Sequence, residues 1–161
     1  MKWLLFLVLT FSASTLFVGN TPHIPVIDNK QLRCVALSMF YEAVGETTTG
    51  QAAVARVILN RVNLGFAKTP CEVVYQAAIT SDQKVCQFTW ACFDPKEPKL
   101  SEEYRKIKEL AYDIVVNNQY NNVIPDTAVY FHSVSVNPGW NHQKVVTIGN
   151  HIFYAQNTSR K

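Results

Sequence analysis

Apolar positions recur at helical spacing through most of the chain between residues 28 and 118. Apolar side chains three or four residues apart indicate amphipathic helices, and an aspartate, serine or threonine just before them is typical of a helix N-terminus. Residues 79–100 show no regular period and are expected to be irregular. The predicted helices run from Asp28 or Asn29 to Val44, and over 47–62, 71–78 and 102–118.

The pattern changes in the last part of the chain. The segments AVYFHS (128–133) and KVVTIGNHIFY (144–154) are rich in β-branched and aromatic residues, which favour strands. Gly149-Asn150 between the two halves of the second segment is a plausible hairpin turn. Helices followed by a small antiparallel sheet are typical of α+β domains. The sequence therefore predicts an α+β fold that is mainly helical, with a small C-terminal antiparallel β-sheet.

The first 19 residues differ from the rest of the chain. Lys2 is followed by an uncharged apolar run from Trp3 to Val18, a pattern typical of a secretory leader. A bilayer span needs about 20 apolar residues, so this run is short for a permanent helix. An uncleaved signal-anchor, tethering the protein to a membrane through residues 3–18, is the alternative, and a buried core helix comes third. Both leading interpretations predict an exported protein, periplasmic or extracellular.

Composition adds limits on domain number and partners. The chain has 161 residues, 48% of them hydrophobic, which suits one compact domain. Residues 20–30 are expected to be a linker, 31–156 the domain and 157–161 a tail. The net charge is only +3 and the basic residues are scattered, so no nucleic-acid partner is expected. The domain is expected to be a monomer.

The cysteines fit export, because disulfides persist in oxidising compartments. Four cysteines allow three pairings, and the sequence does not choose among them. A zinc site is the weaker alternative, because no CxxC spacing occurs. The histidines also lack the HExxH spacing of zinc peptidases, so no metal or other cofactor is predicted. The cysteines are Cys34, Cys71, Cys86 and Cys92, and the histidines are His23, His132, His142 and His151.

Two glutamates stand out near the predicted end of the first helix. Glu42 falls on the last turn, flanked by Phe40 and Tyr41, while Glu46 follows Gly45, which is expected to end the helix. The two carboxylates could therefore point into one cleft from different directions. Partial desolvation and the negative end of the helix dipole both raise the pKa of a carboxyl group at the position of Glu42. Such a group can protonate a glycosidic oxygen, although most helical glutamates are merely solvated.

The motifs around these glutamates resemble those of a known family. YEAVGE (41–46) and GQAAVARVILNRV (50–62) are similar to the signature of the SleB-type cell wall hydrolases, which include spore-cortex-lytic enzymes and phage endolysin relatives. CEVVYQ with QFTWAC, and YFHSVSVNPGW with VVTIGNHIFY, resemble further blocks of the same family in the same order. The resemblance covers residues 31–154. Cys86, just before Gln87, is a departure from the pattern.

The resemblance implies a lysozyme-like domain that cleaves the β-1,4 bond between N-acetylmuramic acid and N-acetylglucosamine of peptidoglycan. Family members are described as lytic transglycosylases, and carrying the motif over makes Glu42 the general acid and base. No aspartate stands in an obvious catalytic context, which fits an enzyme that needs one carboxyl group. The alternatives are a lysozyme-type muramidase that uses water with Glu42 and Glu46, and a non-catalytic wall-binding module. A metal-dependent amidase is a further rival.

Glycan strands are bound by aromatic faces and by side-chain amides. The residues expected to bind substrate are Glu46, Gln51, Gln87, Phe88, Trp90, Tyr130, His132 and Trp140. Phe88, Trp90 and Trp140 could equally be packed core aromatics. Asn60 and Arg61 are expected to form only local contacts at the end of the second helix.

Overall fold

The computed structural model describes residues 28–80, 83–93 and 95–157. The predicted leader or tether, most of the linker and most of the tail lie outside this range. In the described part, no helix is both long and apolar enough to span a bilayer. The elements are α1 (Asn29–Ala43), α2 (Thr48–Asn63), α3 (Pro70–Val74), β1 (Ala77–Ile79), β2 (Lys84–Cys86), a 3-10 helix (Thr89–Phe93), α4 (Glu102–Val115), β3 (Ala128–Ser133), β4 (Gln143–Ile148) and β5 (His151–Ala155).

The first two helices begin where the sequence predicts. The Asp28 carboxylate accepts a hydrogen bond from the Lys30 N–H, and the Thr47 hydroxyl accepts one from the Gly50 N–H. Helix α1 ends near the predicted position, but Gly45 does not end it in the expected way. Val44 caps the helix in a right-handed conformation, and Gly45 does not adopt the left-handed conformation of a typical glycine stop.

Two predictions in the middle of the chain are wrong. The third helix ends at Val74 and not at residue 78, because Ala77–Ile79 instead pair with Lys84–Cys86 as an antiparallel hairpin. Residues 79–100 are therefore not all irregular, since they also contain the 3-10 helix. These strands have three residues each and are largely exposed, so they show no alternation that a sequence pattern could reveal.

The fourth helix begins after its predicted cap, Ser101, whose hydroxyl accepts a hydrogen bond from the Tyr104 N–H. It ends at Val115, three residues before the predicted limit. Asn118 has a φ of 51°, a left-handed conformation that cannot continue an α-helix.

The C-terminal sheet confirms the α+β prediction. Its strand order is β3-β5-β4, and both pairings are antiparallel. Ile148 pairs with His151 across the Gly149-Asn150 turn, so the predicted hairpin is present. Strand β5 lies in the centre of the sheet.

Helix α2 joins the helical part of the core to the sheet. One buried cluster packs α1, α2 and α4 together and includes Leu37, Ile58 and Tyr104. A second cluster packs Val57 of α2 against Phe153 of β5. Because its apolar residues are buried in both clusters, α2 fixes the sheet relative to the other helices.

Two disulfides resolve the pairing that the sequence left open. Cys34 of α1 is bonded to Cys71 of α3, and Cys86 at the end of β2 is bonded to Cys92 in the 3-10 helix. The first closes a sequence separation of 37 residues and the second a separation of 6. Cys86, which departs from the family pattern, therefore forms the disulfide that closes the segment carrying Gln87, Phe88 and Trp90.

Candidate active site

A cleft of about 650 Å³ is bordered by the helices on one side and the three-stranded sheet on the other. Its walls come from the last turns of α1 and α2, residues 87–89, strand β3, the connection from β3 to β4, and the first residue of β5. The shape and size suit part of an extended polymer or a small ligand.

Glu42 lies in this cleft, on the last turn of α1. Burial raises the pKa of the Glu42 carboxyl, and the indole N–H of Trp90 acts in the opposite, lesser direction. Trp90 Nε1 is itself buried and forms no hydrogen bond within the described part of the chain, so the indole N–H acts on Glu42 through its dipole. Among the described residues, Glu42 is the only carboxyl group that lines the cleft.

Aromatic rings form much of the opposite wall. Tyr130 of β3 stacks on His142, with ring centroids 4.3 Å apart and planes 7° apart. Trp140 packs at an angle against both rings and is 42% exposed, so part of its face is free to meet a ligand. Phe88 lines the cleft although its side chain is only 4% exposed. Trp140 therefore presents an exposed ring face on this wall of the cleft.

Polar groups are held in fixed orientations beside the rings. His132 Nδ1 lies 2.8 Å from the Ser133 carbonyl oxygen, so we assign the proton to Nδ1 as donor. His132 Nε2 then accepts a hydrogen bond from the Tyr154 hydroxyl, at 2.8 Å. The exposed amide of Gln87 also borders the cleft.

Glu46 does not share the cleft with Glu42, contrary to the expectation that the two carboxylates point into one space. Its side chain is 9% exposed and accepts hydrogen bonds from the N–H and the amide of Asn150, in the β4–β5 turn. Its Oε1 also lies 4.0 Å from Nδ1 of His151. The pKa of His151 is lowered overall, because the effect of burial exceeds the opposing effect of the Glu46 carboxylate.

Two other predicted binding residues also lie outside the cleft lining. The Gln51 amide donates a long hydrogen bond of 3.4 Å to the Val44 carbonyl, on the far side of the loop after α1. Trp90 stacks on Tyr41, with ring centroids 5.0 Å apart. The remaining predicted binding residues, which are Gln87, Phe88, Tyr130, His132 and Trp140, do line the cleft.

Eight residues that line the cleft were missed from the sequence, and three of them have ionisable side chains. His142 and His151 line the cleft together with His132. Arg61 does so as well, although it was expected to form only local contacts. The same expectation is wrong for Asn60, whose amide donates to the carbonyls of Pro125 and Ala128, 65 and 68 residues away. Arg61 falls four residues after Val57 on the buried face of α2, and a charge on such a face was the available sign.

Residues 28–80, 83–93 and 95–157 contain no group of three histidine, cysteine, aspartate or glutamate side chains arranged to hold a metal ion. The three cleft histidines are instead engaged with aromatic neighbours and with Tyr154.

A family model described as Cell Wall Hydrolase matches residues 45–154, about two thirds of the chain. The chain belongs to the cell wall hydrolase family. The match includes the sheet, α2 and most of the cleft, and it begins three residues after Glu42. The family assignment confirms that the protein is an enzyme of this class.

Two solved structures of bacterial proteins have a similar fold. The catalytic domain of the germination-specific lytic transglycosylase SleB from Bacillus anthracis matches with a TM-score of 0.58 and 22% identity, over 81% of this chain and 98% of that domain. The catalytic domain of the Bacillus cereus SleB protein matches with a TM-score of 0.56 and 23% identity, over 84% and 98% respectively. No curated protein matches the chain. The cell wall hydrolase thus has the α+β, lysozyme-like fold of these domains.

Proposed function

We propose that this cell wall hydrolase cleaves the β-1,4 bond between N-acetylmuramic acid and N-acetylglucosamine of peptidoglycan, as a lytic transglycosylase. The observation that carries the proposal is a single carboxyl group in the described cleft, Glu42, whose pKa is raised by burial. The fold shared with a domain described as a lytic transglycosylase supports it.

Glu42 acts twice in the proposed reaction. Its carboxyl proton passes to the glycosidic oxygen as the bond from that oxygen to C1 of the muramic acid breaks. The Glu42 carboxylate then removes the proton from the C6 hydroxyl of the same sugar while O6 bonds to C1. The products are a 1,6-anhydro-muramic end and a free hydroxyl on N-acetylglucosamine, and Glu42 is protonated again.

The aromatic wall and its polar neighbours are proposed to hold the strand. Trp140 offers a ring face, while Tyr130, His132 and Gln87 offer hydrogen-bonding groups beside it. Phe88 is proposed to shape the floor of the cleft. Trp90 is proposed to position Glu42 and tune its pKa without touching the sugar.

A lysozyme-type reaction with Glu46 as the second carboxylate is less well supported. The Glu46 carboxylate already accepts hydrogen bonds from Asn150 and lies outside the cleft lining. It is therefore poorly placed to activate water or to attack C1. Its predicted role in binding substrate, like that of Gln51, stays untested, and we propose that Glu46 holds the β4–β5 turn.

Mass spectrometry of digested sacculi tests the proposal. We expect the wild type to release fragments with 1,6-anhydro-muramic ends, and Glu42→Gln to lose activity by about 10²–10⁴-fold, because the amide cannot donate and recover the proton. Reducing muramic ends would show that water attacks, and the transglycosylase assignment would be wrong. Normal binding of sacculi without any release by the wild type would instead indicate a wall-binding module. Loss of activity on chelation of metals would favour an amidase.

A further inference from the structure

Arg61 is a buried charge with few partners. Its side chain lines the cleft, yet the residue is only 2% exposed. Nε donates a hydrogen bond of 2.7 Å to the Val129 carbonyl, and the guanidinium lies over the Tyr130 ring, 5.5 Å from its centroid. Nη1 is buried without any hydrogen-bond partner. Within the described residues, no ion pair is found for the guanidinium either.

Arg56, five residues earlier on α2, shows how this protein normally buries an arginine. It is 8% exposed, and its guanidinium donates to the carbonyl groups of Tyr120, Ile114 and Gln119 and to the side chain of Asn118. A buried donor without an acceptor costs free energy, and the cost is larger when the donor is charged. Ring nitrogens of Trp90, His142 and His151 are also buried without partners among the described residues. Arg61 Nη1 differs from them because it belongs to a permanently charged group, so its unmet donor has the greatest need of an acceptor from outside the chain.

The missing acceptor is not Glu42. Within the described residues, the one hydrogen bond found for the Arg61 side chain goes to the Val129 carbonyl, and no ion pair joins Arg61 to Glu42. Burial lowers the pKa of Arg61 to about 10, and only Tyr130 acts in the other direction. The guanidinium therefore stays charged at neutral pH without a carboxylate in the described part of the chain to balance it.

We propose that Arg61 binds a carboxylate group of the peptidoglycan strand, and this inference rests on the proposed function. A guanidinium presents two parallel N–H donors that match the geometry of a carboxylate. Peptidoglycan carries such groups in two places. The lactyl group of N-acetylmuramic acid is a free carboxylate where the stem peptide is missing, and the stem peptide carries carboxylates where it is present. N-acetylglucosamine carries none.

Small ligands test the site directly in the wild-type protein. We expect N-acetylmuramic acid to shift the NMR signals of the Arg61 side chain, and N-acetylglucosamine to leave them unchanged at equal concentration. Muramyl dipeptide supplies a stem-peptide carboxylate in the same experiment. Arg61 signals that respond to neither N-acetylmuramic acid nor muramyl dipeptide would overturn the inference. This measurement needs no variant and therefore stands even if a change at Arg61 prevents folding.

Polymer binding then identifies the source of the carboxylate. In the Glu42→Gln background, which prevents cleavage, adding Arg61→Gln should weaken binding of anionic strands by about 10–100-fold while chitooligosaccharide binding is unchanged. A loss confined to strands stripped of stem peptides indicates the lactyl carboxylate, and a loss confined to intact strands indicates the stem peptide. An equal loss for the neutral chitooligosaccharide would show a structural role and overturn the inference.

Arg56→Gln is the matched control, because it removes a buried guanidinium whose acceptors are all within the protein. It should lower stability and leave the preference for anionic over neutral strands unchanged.

The experiments distinguish failure of the proposed function from failure of the carboxylate site. If wild type releases nothing from sacculi, the proposed function fails, even where Arg61 binds N-acetylmuramic acid. If release is normal but the Arg61 signals do not respond, only the carboxylate site fails.

Discussion

At the scale of single residues, the protonation of Glu42 is set by two opposing effects, burial and the neighbouring Trp90. Burial raises the pKa of its carboxyl, and the Trp90 indole N–H lowers it. Since the acid must carry a proton to start the reaction, activity should fall as the pH rises through this raised pKa. The carboxyl also weakens folding at higher pH, because a raised folded-state pKa contributes stability only while the proton stays bound.

Trp90→Phe separates the two effects on Glu42. Phenylalanine keeps an aromatic ring against Tyr41 but removes the N–H, so the pKa of Glu42 should rise further. We expect the alkaline limb of the rate of muropeptide release to move to higher pH, as measured across a pH series for both proteins. An unchanged limb would show that the indole does not act on the carboxyl. A wild-type rate that stays flat well above neutral pH would contradict the role of Glu42 as acid.

Gly149 is constrained both by its backbone and by the Glu46 side chain. Its φ is +54°, and an added Cβ would lie 1.9 Å from Glu46 Oε2. Gly149→Ala should therefore lower the free energy of unfolding by about 1–3 kcal/mol, measured in urea.

Gly139→Ala is the control for the backbone part of this effect. Gly139 has a φ of +67° but nothing within 4 Å of an added Cβ. If Gly149→Ala costs no more than Gly139→Ala, the contact between Glu46 and the β4–β5 turn does not stabilise the protein.

At the scale of elements, the two disulfides should have separable effects. Loop-closure entropy assigns about 4 kcal/mol to Cys34–Cys71 and about 2 kcal/mol to Cys86–Cys92, because the first closes the longer loop. The shorter loop carries Gln87 and Phe88, which line the cleft. Removing Cys34–Cys71 by paired serine substitutions should therefore cost more stability, whereas removing Cys86–Cys92 should cost more activity.

Urea unfolding and the rate of muropeptide release, measured on both double variants, check this prediction. A larger loss of activity at equal folded fraction in the variant without Cys34–Cys71 would contradict it.

The elements also show what a sequence can predict. The caps at Asp28, Thr47 and Ser101 are local hydrogen bonds between near neighbours, so the residue types were enough to find them. The β1–β2 hairpin has strands too short to show a period. The contact between Glu46 and Asn150 joins residues 104 positions apart, and such a pairing depends on the complete fold. Local patterns therefore gave the position of Glu42 but not the separation of the two glutamates.

At the scale of the whole molecule, the cleft needs both parts of the core, and the two disulfides add to the stability of the fold that holds them together. Together they contribute about 6 kcal/mol by loop closure, comparable with the 5–15 kcal/mol of a typical domain. A chain folded under reducing conditions should be marginal, which agrees with an exported protein.

Thermal unfolding with and without reductant tests this dependence. At about 3 °C for each kcal/mol, the midpoint should fall by about 20 °C on full reduction. Free-thiol titration confirms that both bonds are reduced. A midpoint that moves by only a few degrees would show that the packed core is stable without them.

Glu46 connects the loop after α1 to the turn of the β4–β5 hairpin, next to His151, and so joins the two sides of the cleft at one end. A glycan strand that pushes the hairpin outward must also pull on the end of α1, which carries Glu42, the proposed proton donor. We therefore expect mechanical load on the sheet to reach Glu42, and long, tensioned glycans to be processed differently from short fragments that never touch the hairpin.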